Sequence, residues 1–340
     1  MTERIRLVGV TENVADGVPG QPETQGASLM TILGLIGATA GWGVGATMTR
    51  LAVSELAPLT TTCIRFGLGA LLLLAILIWR GDVRRFPAPR EWLLLGLLGA
   101  IGVTAFGALF TVGLQWTGPA EGMLIQGMSP LVTLVLAAFL VGERIHKGQI
   151  VGGLAAFAGL FVLLGGTAVL GDSSERLLGN LVLAGACLCW SIYNVTVRLT
   201  AGRLRLGESS AHALLFGTVL LIPFGLLEPP RVPLMQVGTG TWLAIGYLAL
   251  VSTCLAYIWW NDGIRKIGAG RASMFTFIGP VAAMLSAIPV LGEWPGPAQL
   301  LGGAMILAGL FIASRRWAPD VRGSAFRSGV PSARRSAAAE

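Results

Sequence analysis

Arg65 is the charged residue that ordinary packing explains least, because it lies inside an apolar run of the sequence. If that run crosses a bilayer, a guanidinium near its middle costs at least about 2.5 kcal/mol and needs a partner, water or an anionic group. The planar fork of an arginine can hold a carboxylate through two hydrogen bonds. A structural role fits the residue equally well, so the sequence leaves both interpretations open.

A repeated pattern of aromatic and amide residues forms the second group of candidates. Each copy places two aromatic residues and an asparagine at positions i, i+3 and i+4, which lie on one face of a helix. Flat apolar rings with hydrogen-bonding tips suit a small amphipathic solute. The aromatic belt of a membrane interface and simple core packing are the alternatives. The copies are Trp190, Tyr193 and Asn194, and Tyr257, Trp260 and Asn261.

Two prolines inside apolar runs mark the third group. Each proline removes a backbone hydrogen bond and disturbs its helix. Residues that share the face of each proline are candidates for the wall of a central cavity, with helix packing as the alternative. These two proline stripes are Met123, Gln126, Gly127 and Pro130, and Ser273, Thr276, Phe277 and Pro280.

Carboxylates occur mainly at the ends of the apolar runs. Glu143 and Glu293 each end a run and precede another, so we predict that they cap the following helices. Glu121 is the candidate for proton coupling, because a partly buried carboxylate can titrate. A solvated position at the helix end is the plainer alternative for Glu121.

The sequence offers little from which to build an enzyme or a metal site. It has two histidines, and its four cysteines lie in apolar runs without metal-ligand spacing. Neither Lys147 nor Lys266 ends a glycine-rich phosphate loop, which argues against an ATP-driven pump. We therefore expect no catalytic residues, no cofactor and no metal.

The composition places these candidates in a membrane. Of the 340 residues, 54% are hydrophobic and only 12% are charged, against about a quarter charged in soluble domains. Runs of about 20 apolar residues suit a bilayer core of about 30 Å. Ten such runs predict an all-α polytopic protein, at 29 to 49, 57 to 79, 92 to 115, 119 to 141, 148 to 170, 178 to 199, 210 to 228, 240 to 262, 270 to 291 and 297 to 315.

The positive charges indicate the orientation in the membrane. Twenty of the 24 lysines and arginines fall in the two tails and in the loops on the same side as the tails. We therefore expect both termini, including the polar tails 1–28 and 317–340, to be disordered and cytoplasmic, with the protein in the plasma (bacterial inner) membrane. Anionic lipid headgroups account for the net charge of +7, so we expect no nucleic-acid partner. A homo-oligomer stays open as an alternative, without support from the sequence.

An internal repeat relates the two halves of the chain. Residues 113–161 match residues 263–311 at 13 of 49 positions, an offset of 150. Trp42 and Arg50 match Trp190 and Arg198 at an offset of 148. The repeats, 29–170 and 178–316, each contain five predicted spans, and an odd number inverts the second copy in the membrane.

These residues resemble a known family. Trp42, Arg65-Phe66, and the pattern from Pro130 through Gly142-Glu143-Arg144 to Gln149 are similar to the EamA-like members of the drug/metabolite transporter superfamily. The second copy, around Pro280 and Gly292-Glu293, lacks the basic residue that follows Glu143. The resemblance implies ten helices, a central cavity between inverted halves, and export of amino acids or other small metabolites.

The repeat and the resemblance together predict a secondary transporter. We expect it to export a small metabolite, such as an amino acid or a related amphipathic compound, by alternating access between the halves. A channel or a membrane scaffold is the first alternative, and a membrane-embedded enzyme is the second.

Overall fold

The computed structural model describes residues 28–81, 89–116, 119–164, 174–201 and 206–314. Apart from Ser28, the two predicted tails lie outside these ranges. The described residues are almost entirely helical and contain no β-strand. Nine of their helical segments are long and apolar enough to cross a membrane, and a tenth has 17 residues. The structure thus confirms the predicted all-α polytopic class.

Ten helical segments follow the ten predicted spans. The regular segments are α1 (Leu29–Ala52), α2 (Pro58–Trp79), α5 (Lys147–Leu163), α6 (Ser174–Leu199), α7 (Leu206–Leu227) and α10 (Pro297–Ser314). The composite segments are α3 (Pro89–Gly99, Ala100–Ala105, Phe106–Trp116), α4 (Pro119–Gln126, Ser129–Val141), α8 (Thr239–Tyr247, Leu248–Leu255, Ala256–Ile267) and α9 (Ala269–Ser273, Met274–Phe277, Ile278–Leu291). A short 3₁₀ turn, Leu234–Gln236, precedes α8.

The irregular parts of the helices lie at matching positions in the two repeats. The π-helical segment of α3, Ala100–Ala105, corresponds to the π-helical segment of α8, Leu248–Leu255. At the repeat offset of 150, the turn at residues 127–128 of α4 overlaps the end of the 3₁₀ segment Met274–Phe277 of α9. Such departures from α-helix are often found at hinges and functional sites. Both halves therefore carry irregularities at matching places in their third and fourth helices, of the same type in the third helices and of different types in the fourth.

The prolines follow these breaks. Pro130 stands in the first turn of the second part of α4, where its missing N–H leaves no hydrogen bond unmade. Pro280 lies just after the 3₁₀ segment of α9. The predicted disturbance is present in both helices, and it lies one turn or less before each proline.

The structure corrects the prediction about which helices the two glutamates cap. Gln149 Oε1 accepts the His146 N–H at 2.9 Å before α5, and Gln299 Oε1 accepts the Gly296 N–H at 2.7 Å before α10. Glu143 instead accepts hydrogen bonds from the first residues of α9, and Glu293 pairs with an arginine of α1. The matched glutamines, not the glutamates, stabilise the starts of α5 and α10.

Glycines let the helix backbones of the two repeats touch. A Cβ atom on Gly302 of α10 would lie 2.3 Å from the Leu163 nitrogen of α5, and one on Gly152 would lie 2.4 Å from the Gly309 carbonyl oxygen. Close approach through small residues is the usual packing of membrane helices. Gly152 and Gly302 are repeat-related, so α5 and α10 pack around the pseudo-symmetry axis.

Candidate functional site

An aromatic cluster lies where the two repeats meet. The ring of Trp42 in α1 lies 5.4 Å from that of Trp190, 6.1 Å from that of Tyr257 and 5.1 Å from that of Trp260, always edge to face. Because Trp42 and Trp190 are repeat-related, their contact marks the boundary between the halves. We call the whole set the aromatic cluster: Trp42, Phe66, Phe106, Trp190, Tyr193, Tyr257 and Trp260.

The two π-helical segments bring the backbone close to this cluster. The indole Nε1 of Trp42 donates to the carbonyl oxygen of Ser252, inside the π-helical part of α8, at 2.8 Å. A Cβ atom on Gly102, inside the π-helical part of α3, would lie 2.2 Å from the Tyr193 ring. A π-helix shifts the hydrogen-bonding register, and here it allows contacts that a regular helix would not offer. The matched irregularities therefore support the cluster from both sides.

Hydrogen bonds lock α6 to α8 behind the rings. Tyr193 donates to Asn261 Oδ1 at 3.1 Å, and Asn261 Nδ2 donates to Ser210 Oγ of α7 at 2.9 Å. Trp260 Nε1 donates to Asn194 Oδ1 at 2.9 Å. Both copies of the aromatic–amide pattern are thus buried and bonded to each other. In this conformation four of these side chains hold the cluster together: Tyr193, Asn194, Trp260 and Asn261. Because they are buried, they do not form part of an aromatic belt at the membrane interface.

Arg65 of α2 lies against the edge of the cluster. Its guanidinium carbon is 4.4 Å from the centre of the Phe66 ring, and that ring is 6.1 Å from the ring of Tyr257. The Nε atom is buried and has no hydrogen-bond partner in the structure, and no carboxylate among the described residues pairs with the guanidinium. The cluster therefore has a cation beside it without a counter-ion in the described part of the chain.

The two proline stripes meet each other. Ser273 Oγ donates to the Pro130 carbonyl oxygen at 3.2 Å, and Thr276 Oγ1 donates to the Ser273 carbonyl oxygen at 2.6 Å. Gln126 Oε1 is buried without a hydrogen-bond partner in the described structure. A cavity wall at these stripes stays a prediction. Its half-buried members are Met123, Gln126, Gly127, Thr276 and Pro280, and its buried members are Pro130, Ser273 and Phe277.

Glu121 lies in the first part of α4, but its side chain is outside the described structure. Trp42 was not among the predicted site residues, although its match with Trp190 in the repeat is a signal for it. Phe106, whose ring lies 5.1 Å from that of Trp190 in a tilted arrangement, has no such signal in the sequence.

Comparison with known proteins identifies the family. The sequence profile of the EamA-like transporter family matches residues 29–165 and 177–315. The chain belongs to this family. The two matched ranges fall on the two predicted repeats, and they confirm the resemblance inferred from the sequence. An EamA-like protein with nine helices of membrane-spanning length in its described residues is an integral membrane protein with a transporter role.

Several relatives share most of the length of this EamA-like chain. The uncharacterized transporter YyaM of Bacillus subtilis is 31% identical over 82% of this chain and 92% of its own. A probable terminal-alkyne amino-acid exporter of Streptantibioticus cattleyicolor is 27% identical over 81% of this chain and 86% of its own. The aromatic amino acid exporter YddG of Ancylobacter novellus is 28% identical over 76% of this chain and 88% of its own. A solved crystal structure with 26% identity covers 85% of this chain and 99% of its own, with a TM-score of 0.74.

Proposed function

We propose that this protein is a secondary transporter that exports a small amphipathic metabolite with a carboxylate group, such as an amino acid, by alternating access. The observation that carries the proposal is the uncompensated guanidinium of Arg65 beside the aromatic cluster at the boundary of the two repeats. A half-buried charge of this kind, without a counter-ion among the described residues, gains most from a substrate that brings the opposite charge.

The aromatic cluster suits the rest of such a substrate. Rings offer a large apolar contact area, and the faces of Trp42 and Tyr257 can attract an ammonium group through cation–π contact. The YddG relative is named an aromatic amino acid exporter, and the Streptantibioticus relative a probable terminal-alkyne amino-acid exporter. Amino acids carry the carboxylate that Arg65 would bind, so these names support the same substrate class.

The inverted repeat supports alternating access. Two halves with matched irregular helices can exchange conformations, and carriers of this design bind their substrate between the halves, near the middle of the membrane. The half-buried faces of the proline stripes, with Gln126 and Thr276, would line the path to that site. Glu121 remains the candidate for proton coupling. Within this proposal both termini are cytoplasmic and the protein acts in the plasma membrane, without a cofactor.

Counterflow in proteoliposomes tests the function. Vesicles loaded with an unlabelled amino acid should transiently accumulate the labelled compound, with saturable dependence on its concentration. A channel or a scaffold would give no saturable counterflow with any member of a panel of amino acids and related acids. That result would contradict the proposal.

A substitution of Arg65 tests the substrate class. Arg65→Lys keeps the charge but loses the two-pronged geometry, so uptake of an acid should fall about tenfold more than uptake of its amide. Leu215 occupies the repeat-related position and half-buried surroundings, so Leu215→Met serves as the matched control with little change in either rate. Equal losses for acid and amide would assign Arg65 a structural role.

A further inference from the structure

Two arginine–glutamate pairs in the structure are repeat-related. Arg50 donates to both oxygens of Glu293, at 2.9 and 3.1 Å. Arg198 Nε lies 3.7 Å from Glu143 Oε1. Arg50 matches Arg198 and Glu143 matches Glu293 in the sequence repeat. The repeat therefore conserves a pair of contacts, and the basic residue missing after Glu293 is not needed for them.

Each pair joins one repeat to the other. Arg50 is in the last turn of α1, the first helix of the first repeat, and Glu293 follows α9, the fourth helix of the second. Arg198 is in the last turn of α6, the first helix of the second repeat, and Glu143 follows α4, the fourth helix of the first. Each pair therefore connects the first helix of one repeat to the fourth helix of the other repeat.

The pairs lie at opposite ends of the helices. Consecutive helices run in opposite directions, so the ends of the odd-numbered α1 and α9 lie on one side and those of the even-numbered α4 and α6 on the other. Other contacts agree, since Glu55 after α1 accepts the Gly238 N–H before α8 at 2.7 Å. We call the two sides the Arg50 end and the Arg198 end.

The surroundings of the two pairs differ. At the Arg198 end the side chains are 9% and 18% exposed, and Glu143 also accepts the N–H groups of Ala269 and Gly270 at 2.8 and 2.9 Å. Arg198 donates in addition to the carbonyl oxygen of Arg265. At the Arg50 end the side chains are 66% and 52% exposed. The contacts at the Arg198 end are therefore more numerous and less exposed, while the Arg50–Glu293 pair has the shorter distances between its two side chains.

We infer that the two repeat-related pairs are the closing contacts of the two ends of the transport path. The Arg198–Glu143 pair separates when the Arg198 end opens, and the Arg50–Glu293 pair separates when the Arg50 end opens. This inference rests on the proposed alternating access. Both pairs are formed in this structure, so weakening either one shifts the population toward the state in which its own end is open.

Thiol reactivity of buried probe residues tests the inference. The chain's cysteines, Cys63, Cys187, Cys189 and Cys254, are first replaced by alanine, and counterflow is checked in that background. Thr47→Cys lies one turn before Arg50, and Val195→Cys is its repeat mate one turn before Arg198. Both positions are buried, with exposures of 5% and 1%. Reaction with a hydrophilic maleimide is followed in nanodiscs, where both ends are accessible.

The expected changes have opposite directions. Glu143→Gln should raise the reaction rate at Val195→Cys about fivefold or more, without raising it at Thr47→Cys. Glu293→Gln should raise the reaction rate at Thr47→Cys about twofold, without raising it at Val195→Cys. The effect is smaller because the Arg50–Glu293 pair is exposed. Each variant is the matched control for the other. Arg198→Gln leaves the cap of α9 in place and should act like Glu143→Gln if the latter folds poorly.

Two outcomes would overturn the inference. Both probes could react faster in every variant, which would show general loosening, or neither rate could change. Wild-type counterflow separates this result from failure of the proposed function. Saturable counterflow with no opposite shifts removes only the closing role of the pairs, whereas absence of counterflow removes alternating access itself.

Discussion

Trp42 connects the two repeats both through its ring and through its indole nitrogen. The ring packs on Trp190, and the nitrogen binds the Ser252 carbonyl oxygen in the π-helical part of α8. The glutamates show the limit of sequence reasoning at this scale. Their position at helix ends could be predicted, but the partner of Glu143 at Ala269 is 126 residues away and depends on the tertiary fold.

Substitution of Trp42 separates the hydrogen bond from the ring contact. Trp42→Phe keeps an aromatic ring but leaves the Ser252 carbonyl oxygen without its indole donor. We therefore expect the free energy of unfolding to fall by about 1 kcal/mol. Trp42→Ala also leaves a cavity, so it should lower the free energy of unfolding by about 3–5 kcal/mol. Thermal unfolding of the purified protein in detergent gives the comparison. Trp294→Phe, at an 81% exposed position, is the control, and an equal shift there would contradict the assigned role of the indole hydrogen bond.

At the scale of helices, the sequence predicts where each segment runs but not its internal irregularity. Apolar runs and prolines predicted ten spans and a disturbance in α4 and α9. The π-helical segments of α3 and α8 contain no proline, because a π-turn needs only a local shift in hydrogen bonding. Their agreement between the repeats could be anticipated only after one of them was seen.

The packing of α5 on α10 gives a prediction for a single methyl group. Gly302→Ala would place a Cβ atom 2.3 Å from the backbone nitrogen of Leu163, so the helices must separate. We expect destabilisation of about 1–3 kcal/mol, seen as a lower unfolding temperature. Gly246→Ala in α8 is the matched control, because its Cβ atom would meet nothing within 4 Å. Equal unfolding temperatures for the two variants would show that α5 and α10 do not rely on this contact.

At the scale of the whole molecule, the inverted repeat was the prediction that the sequence supported best. Identical residues at a constant offset survive where a small side chain or a charge is required at both copies, as in Gly152 and Gly302 or Glu143 and Glu293. The partners of those residues were not predictable, since each comes from the other repeat. Because each repeat has an odd number of helices, the second repeat is inverted in the membrane. The two ends of the protein are therefore built from corresponding helix ends of opposite repeats.

The distribution of positive charge predicts the orientation of that structure in the membrane. Because most lysines and arginines lie on the side of the tails, reporter fusions at the C-terminal tail and in the 80–91 loop should both be cytoplasmic. A fusion between α7 and α8, near Pro230, should report the opposite side. The Arg198 end, whose ion pair is the less exposed of the two, would then face the cytoplasm. A periplasmic signal from either of the first two fusions would reverse this assignment, while the opposite responses expected of the two ion pairs would remain.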